Sequence, residues 1–143
     1  MQGFAVLIRN RWFPLLMTSV LFGLMHCINP EVKEFGFITM MAQYILFGLV
    51  FGITTILDDG IEVAMGAHTA NNIFLCIFVT NSSSVFQVSS LYKQKNLYPW
   101  TEFVGLLIAS VIFIIILKMI FKWEDFSRLW GKISKNEKLV QTV

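Results

Sequence analysis

The sequence predicts an all-α fold: a polytopic membrane helix bundle of about four transmembrane helices, with a C-terminal interfacial helix as one reading of the tail. Three observations carry that prediction. Of 143 residues, 56% are hydrophobic and only 14% charged, with 14 phenylalanines and a mean hydropathy of +0.69, whereas soluble domains carry roughly a quarter charged residues. Three apolar runs reach the roughly 20 residues needed to cross about 30 Å of hydrocarbon, and a fourth falls just short. The cations also cluster on one side of the chain that such helices would weave.

The short run comes first, at residues 13–28, after Arg9 and Arg11, and opens on Pro14, a residue suited to a first helical turn. Two arginines before an apolar core resemble a signal sequence. However, the chain is already apolar from Phe4 to Ile8, and no small-residue cleavage site follows. The run reads as a helix of the mature protein. Asn29, Pro30, Glu31, Lys33 and Glu34 form a polar link to the second run, residues 35–57. Asp58, Asp59 and Gly60 form a turn signal before the third, residues 61–80. A long polar link at 81–100 precedes the fourth run, residues 102–121. Its Asn81-Ser82-Ser83 matches a glycosylation sequon, which a Ser-rich loop produces by chance.

Alternating sides place Arg9, Arg11, Lys118, Lys122, Arg128, Lys132, Lys135 and Lys138 together, against Lys33, Lys93 and Lys95. That bias puts both termini in the cytoplasm, in a plasma or inner membrane. Trp12, Tyr98, Trp100 and Trp123 fall at proposed helix ends, where amphipathic rings favour the interface. Beyond Phe121, Trp123, Phe126, Trp130 and Ile133 recur at helix-like spacing with cations between them, which suits either a surface helix on anionic lipid or a solvated tail. The chain thus divides into a membrane-embedded core, residues 1–121, and a basic tail, residues 122–143. Membrane lipid is the expected surrounding, and no nucleic acid is expected as a partner.

Cys27 and Cys76 lie in or beside apolar helices and read as free thiols packed as small hydrophobes. Gly48 and Gly52 make a G-x-x-x-G spacing that lets a second helix approach closely.

The chemistry concentrates in "GAHTANNIF", residues 66–74. Four residues apart on a helix, His68 and Asn72 lie one above the other on a single face, while Asn71 sits about 100° around, so both amides are not expected in one site. The second intramembrane histidine is His26, with Phe22 one turn before it. An ionisable group in hydrocarbon is costly and marks function by default. Two imidazoles and a carboxamide can hold a metal, relay protons or donate to a developing oxyanion. Hydrolysis also needs a general base, and the helix interiors hold no Asp or Glu: Asp58, Asp59, Glu62 and Glu102 all fall at helix ends. There is also a tension of depth. At 1.5 Å per residue His26 lies about 20 Å from the cytoplasmic end and His68 only about 10 Å, so a shared site needs a short, tilted or offset first helix.

The joint occurrence of Phe22-Gly23-Leu24-Met25-His26 (F-x-x-x-H) and His68-Thr69-Ala70-Asn71-Asn72 (H-x-x-x-N), within "LDDGIEVAMGAHTANNIF", resembles the CPBP family. These are intramembrane endopeptidases related to the CAAX prenyl protease and to bacteriocin-processing and immunity proteins. The resemblance runs from Met1 to about Phe121. It implies that His26 binds or orients the catalytic water, or a divalent metal such as zinc together with His68. It further implies that His68 and Asn72 stabilise the oxyanion and that Phe22 packs at the site. It implies peptide or prenylated-peptide substrates at the membrane. The family's earlier E-E-x-x-x-R motif, whose first Glu activates the water, is absent from this sequence. The resemblance therefore implies a C-terminal portion of the core, through a misplaced start, a truncation or a naturally inactive relative, inactive as given and in need of N-terminal helices or another membrane protein. Two imidazoles and an amide make a poor zinc set, which argues against tight zinc binding. Two other classes stay open. One is a non-catalytic immunity or partner-binding protein that keeps its histidines as interhelical hydrogen-bond glue. The other is a transporter subunit, for which Thr39, Gln43, Thr54 and Thr55 are too mildly polar.

Overall fold

The structure, a computed structural model, describes residues 1, 4, 8 and 10–130. Its elements are helices α1 (Trp12–Met25), α2 (Pro30–Phe35), α3 (Phe37–Asp58) and α4 (Glu62–Ile77), strands β1 (Val79–Thr80) and β2 (Tyr92–Lys93), helix α5 (Pro99–Phe121) and a 3-10 turn at Phe126–Leu129. The four apolar helices expected from the sequence are all present. Two of them, α3 with 22 residues and α5 with 23, are long and apolar enough to cross a membrane. The other two are shorter: α1 has 14 residues and α4 has 16, rising about 21 and 24 Å.

The third apolar run thus ends earlier than its composition suggests, for a reason of hydrogen bonding. Leu91 N–H donates to the Ile77 carbonyl at 2.9 Å and Tyr92 N–H to the Phe78 carbonyl at 2.8 Å, so the carbonyls that end α4 find donors in the loop. Val79 and Thr80 then pair in parallel with Tyr92 and Lys93. The polar link after α1 also gains a helix, α2, started by Pro30 in its first turn. Pro99 likewise starts α5 three residues before the expected boundary.

Helix α3 is the hub, touching α1, α2, α4, α5 and the 3-10 turn. Its contact with α1 is close because Gly48 and Gly52 carry no side chain. A Cβ on Gly48 would stand 2.8 Å from the Ser19 Cα and 2.9 Å from the Ser19 carbonyl oxygen, and Gly52 faces Leu15. Across from them Gly23 of α1 faces Ile45. Ser19, at this contact, and Thr54, elsewhere on α3, are fully buried. Their hydroxyls are satisfied within their own helices, Ser19 Oγ donating to the Leu15 carbonyl at 2.7 Å and Thr54 Oγ1 to the Phe51 carbonyl at 2.8 Å. Helix α5 joins through Gln43, whose Nε2 donates to the Pro99 carbonyl at 2.9 Å. Most of α5 leaves its apolar side chains exposed, among them Leu107, Ile108, Val111, Ile112 and Ile115. Such an apolar face suits hydrocarbon.

At one end of the bundle Val85 N–H donates to Glu31 Oε1 at 2.9 Å, joining the long loop to α2. At the other, Trp12 and Trp130 meet at 4.8 Å between ring centroids. Trp123 departs from its expected place in the interface: it is buried against Leu57 and Leu117, and its Nε1 donates to Asp58 Oδ1 at 3.1 Å. The carboxylate at the α3 terminus offers the indole a strong acceptor away from lipid, and this draws it inward. The described part of the tail is a single 3-10 turn. Lys132, Ile133, Lys135 and Lys138, on which the amphipathic pattern also rests, lie outside the described residues, as does Arg9. Cys27 and Cys76 are free.

Candidate active site

His26 stands immediately after α1, as its C-cap residue. Its backbone N–H turns to the Gly23 carbonyl at 2.9 Å, tightening the last turn, and its ring Nδ1 lies 2.8 Å from the Phe22 carbonyl. A carbonyl oxygen only accepts, so Nδ1 carries the hydrogen and, in the neutral ring, Nε2 keeps the lone pair. The imidazole is held between two aromatic rings, Phe22 at 4.7 Å and Tyr44 at 4.8 Å, the latter stacked at 29°.

His68 lies near the middle of α4, and the hub helix supplies its wall. Phe51 stacks on it at 5.4 Å and 28°, while Phe22 meets it edge-on at 5.5 Å and 70°. Phe22 therefore touches both imidazoles, which cannot be farther apart than the sum of its two ring distances. The depth tension is resolved by the short α1 and the reach of this one side chain. Phe22 also meets Phe51 edge-on at 5.7 Å, closing an aromatic triangle with His68.

Asn72 lies one turn beyond His68 on α4, half-buried, with Asn71 as its hydrogen-bond partner: Asn71 Nδ2 donates to Asn72 Oδ1 at 3.4 Å. The two amides thus meet despite their 100° offset. Among the described residues, this leaves the two N–H donors of Asn72 Nδ2 free. Of the expected site residues, Phe22, His26 and His68 are joined by direct ring contact. Asn72 shares the His68 face and, among the described residues, makes no hydrogen bond to either imidazole.

Tyr44 and Phe51 carry no motif of their own in the sequence, although Tyr44, Phe47 and Phe51 at i, i+3 and i+7 mark an aromatic stripe. Such a stripe reads as core until the histidines that it faces are known. Asn29, which donates from Nδ2 to the Tyr44 hydroxyl at 3.3 Å, lies in what reads as a plain polar link.

Among the described residues, no group of three His, Cys, Asp or Glu lies together as a metal would require. His26 and His68 offer two imidazoles with Asn72 as the nearest further candidate, a set that does not fit zinc.

Four apolar helices, with two imidazoles packed among rings from α1, α3 and α4, define a polytopic membrane protein. Residues 1–74 match the Rce1-like family, described as type II CAAX prenyl endopeptidase Rce1-like, and the chain belongs to that family. This agrees with the resemblance carried by F-x-x-x-H and H-x-x-x-N. An uncharacterised protein of Bacillus subtilis (strain 168), YyaK, is 35% identical over 114 residues, which cover 79% of this chain and 38% of YyaK. The chain thus spans well under half the length of that relative. No solved structure matches it.

Proposed function

We propose that this chain carries the carbonyl-handling part of a CAAX-protease-type intramembrane site, which hydrolyses peptide bonds of prenylated or leader-bearing peptides at the membrane. The supporting observation is the Phe22 ring, which contacts His26 and His68 together and so joins the two motifs in one place. In this reading the lone pair of His26 Nε2 orients the attacking water. His68 and the free N–H donors of Asn72 take the charge that develops on the carbonyl oxygen as the carbon becomes tetrahedral. Phe22 sets the spacing of the two imidazoles. The general base is a carboxylate from outside this chain, of the E-E-x-x-x-R kind. Residues 1–121 form the site-bearing core. Residues 122–143 form a basic tail on the cytoplasmic face of the plasma or inner membrane, with both termini on that side.

The test is hydrolysis of a prenylated reporter peptide by the full chain in lipid vesicles, with and without a co-expressed segment bearing E-E-x-x-x-R. We expect no cleavage by the chain alone and cleavage with the segment, abolished by His68→Ala. Cleavage by the chain alone, lost in His68→Ala, would show that the base lies within it. Cleavage indifferent to His68→Ala would remove the site assignment altogether.

A second reading rests on the stacking of Tyr44 on His26 and Phe51 on His68. Aromatic faces against both rings also suit a non-catalytic membrane protein, of the immunity or partner-binding kind, in which the imidazoles serve packing.

A further inference from the structure

The imidazole site has a polar flank to which the proposed hydrolysis gives no role. Glu31 in α2 is half-buried, and its Oε1 accepts the Val85 N–H that pins the long loop. Its other oxygen, Oε2, is buried with no hydrogen-bond partner among the described residues. Proteins rarely leave such an atom unsatisfied, and where no protein donor reaches it an ordered water does. The Tyr44 hydroxyl accepts from Asn29 Nδ2 at 3.3 Å, and the Tyr44 ring stacks on His26. Asn29 N–H in turn donates to the His26 carbonyl at 3.1 Å. Polar groups therefore run from the loop at 81–86 to His26, while the other rings packed on the two imidazoles are phenylalanines.

We propose that Glu31, Asn29 and Tyr44 form a water inlet, through which water reaches His26 from the side of the long loop. A buried water needs two to four polar partners, and the Glu31 carboxylate, the Tyr44 hydroxyl and the Asn29 amide supply them. The Glu31 bond to Val85 holds the loop across the outer end of this path. The inlet concerns the same imidazoles but does not depend on their catalysing anything.

The experiment places the full chain, labelled with 15N at Asn, His and Gly so that Gly48 and Gly52 report on α3, in lipid nanodiscs and records cross-peaks between water and side-chain N–H groups by NMR. Cross-peaks are expected at the Asn29 amide and the His26 ring. Glu31→Leu removes both and spares the Asn72 amide, whereas Glu31→Gln, which keeps a polar group, retains them. Persistence of the Asn29 and His26 cross-peaks in Glu31→Leu overturns the inlet. Should Glu31→Leu also disturb the resonances of α3, Tyr44→Phe decides, and a His26 cross-peak that survives loss of the hydroxyl overturns it equally. Because water contact is read without any substrate, failure of the hydrolysis test leaves this result standing. A lost inlet likewise leaves the peptidase reading to its own assay.

Discussion

The closest helix contact in the bundle makes the sharpest prediction. In Gly48→Ala the new Cβ would stand 2.8 Å from the Ser19 Cα and 2.9 Å from its carbonyl oxygen. Non-bonded carbons prefer about 3.5–4.0 Å, so α1 and α3 must part by about 1 Å. The obstructing atoms are backbone and cannot rotate aside. Overpacking of this kind costs about 1–3 kcal/mol, against a gain of up to about 1 kcal/mol from replacing a helical glycine. Gly66→Ala on α4 serves as the control, because a Cβ there meets nothing within 4 Å. Both variants take the same propensity gain, so the difference between them isolates packing and should be about 1–3 kcal/mol in favour of Gly66→Ala. Unfolding titrations followed by circular dichroism, with both variants in the same micelles, measure it. Equal midpoints would refute the argument that the α1–α3 approach requires a bare backbone.

Two further outcomes follow from the end of the bundle opposite the long loop. Trp123→Phe keeps an aromatic ring against Leu57 and Leu117 but loses the bond to Asp58, and should lower stability by about 1.5–3 kcal/mol in the same titration, as bonds to charged groups do. Asp125 has its carboxyl held below the usual carboxylate range, first by the Ser127 hydroxyl and then by the Ser127 N–H. A depressed folded-state pKa gives stability that is present above the ordinary carboxylate value and lost as pH falls through the folded one. Ser127→Ala should therefore raise the pH at which the Phe126–Leu129 turn opens on acidification, followed through the fluorescence of the Trp12–Trp130 pair.

Much of this architecture was legible because hydrocarbon imposes few rules. Run length and apolarity located all four apolar helices, and the G-x-x-x-G of Gly48 and Gly52 marked the face that meets α1. Period and composition do not report where a helix finds donors for its last carbonyls, so the end of α4 at Ile77 was invisible: it depends on Leu91 and Tyr92, more than a dozen residues on. The inward turn of Trp123 escaped for a similar reason. Tryptophan at a helix end suits the interface, and only the position of Asp58 in space tells which acceptor wins. In the site, the two motifs named Phe22, His26, His68 and Asn72, but not the walls. Tyr44 and Phe51 look like ordinary core until the fold stacks an imidazole on each of them. Glu31 and Asn29 look like solvated loop until the segment carrying Val85 folds over them.

The shortness of α1 decides which histidine gives the cleaner test of chemistry. A helix of 14 residues rises about 21 Å, short of the roughly 30 Å of hydrocarbon, and a carbonyl left without a donor at such an end is costly. His26 meets that need by donating from Nδ1 to the Phe22 carbonyl. His26→Ala therefore removes a helix cap together with any catalytic role, and a loss of activity would not separate the two. His68 makes no hydrogen bond among the described residues and is held by its ring contacts with Phe51 and Phe22. Losing an aromatic pair costs about 0.5–1.5 kcal/mol beyond its area, so His68→Ala should leave a folded protein whose unfolding midpoint moves only slightly. Hydrolysis in the reconstituted assay should nevertheless vanish, because the donor that meets the charged carbonyl oxygen is gone. His68→Phe would then restore the ring packing, and with it the midpoint, while activity stays lost. If activity returns with the phenyl ring, the imidazole acts through packing alone and the peptidase reading fails.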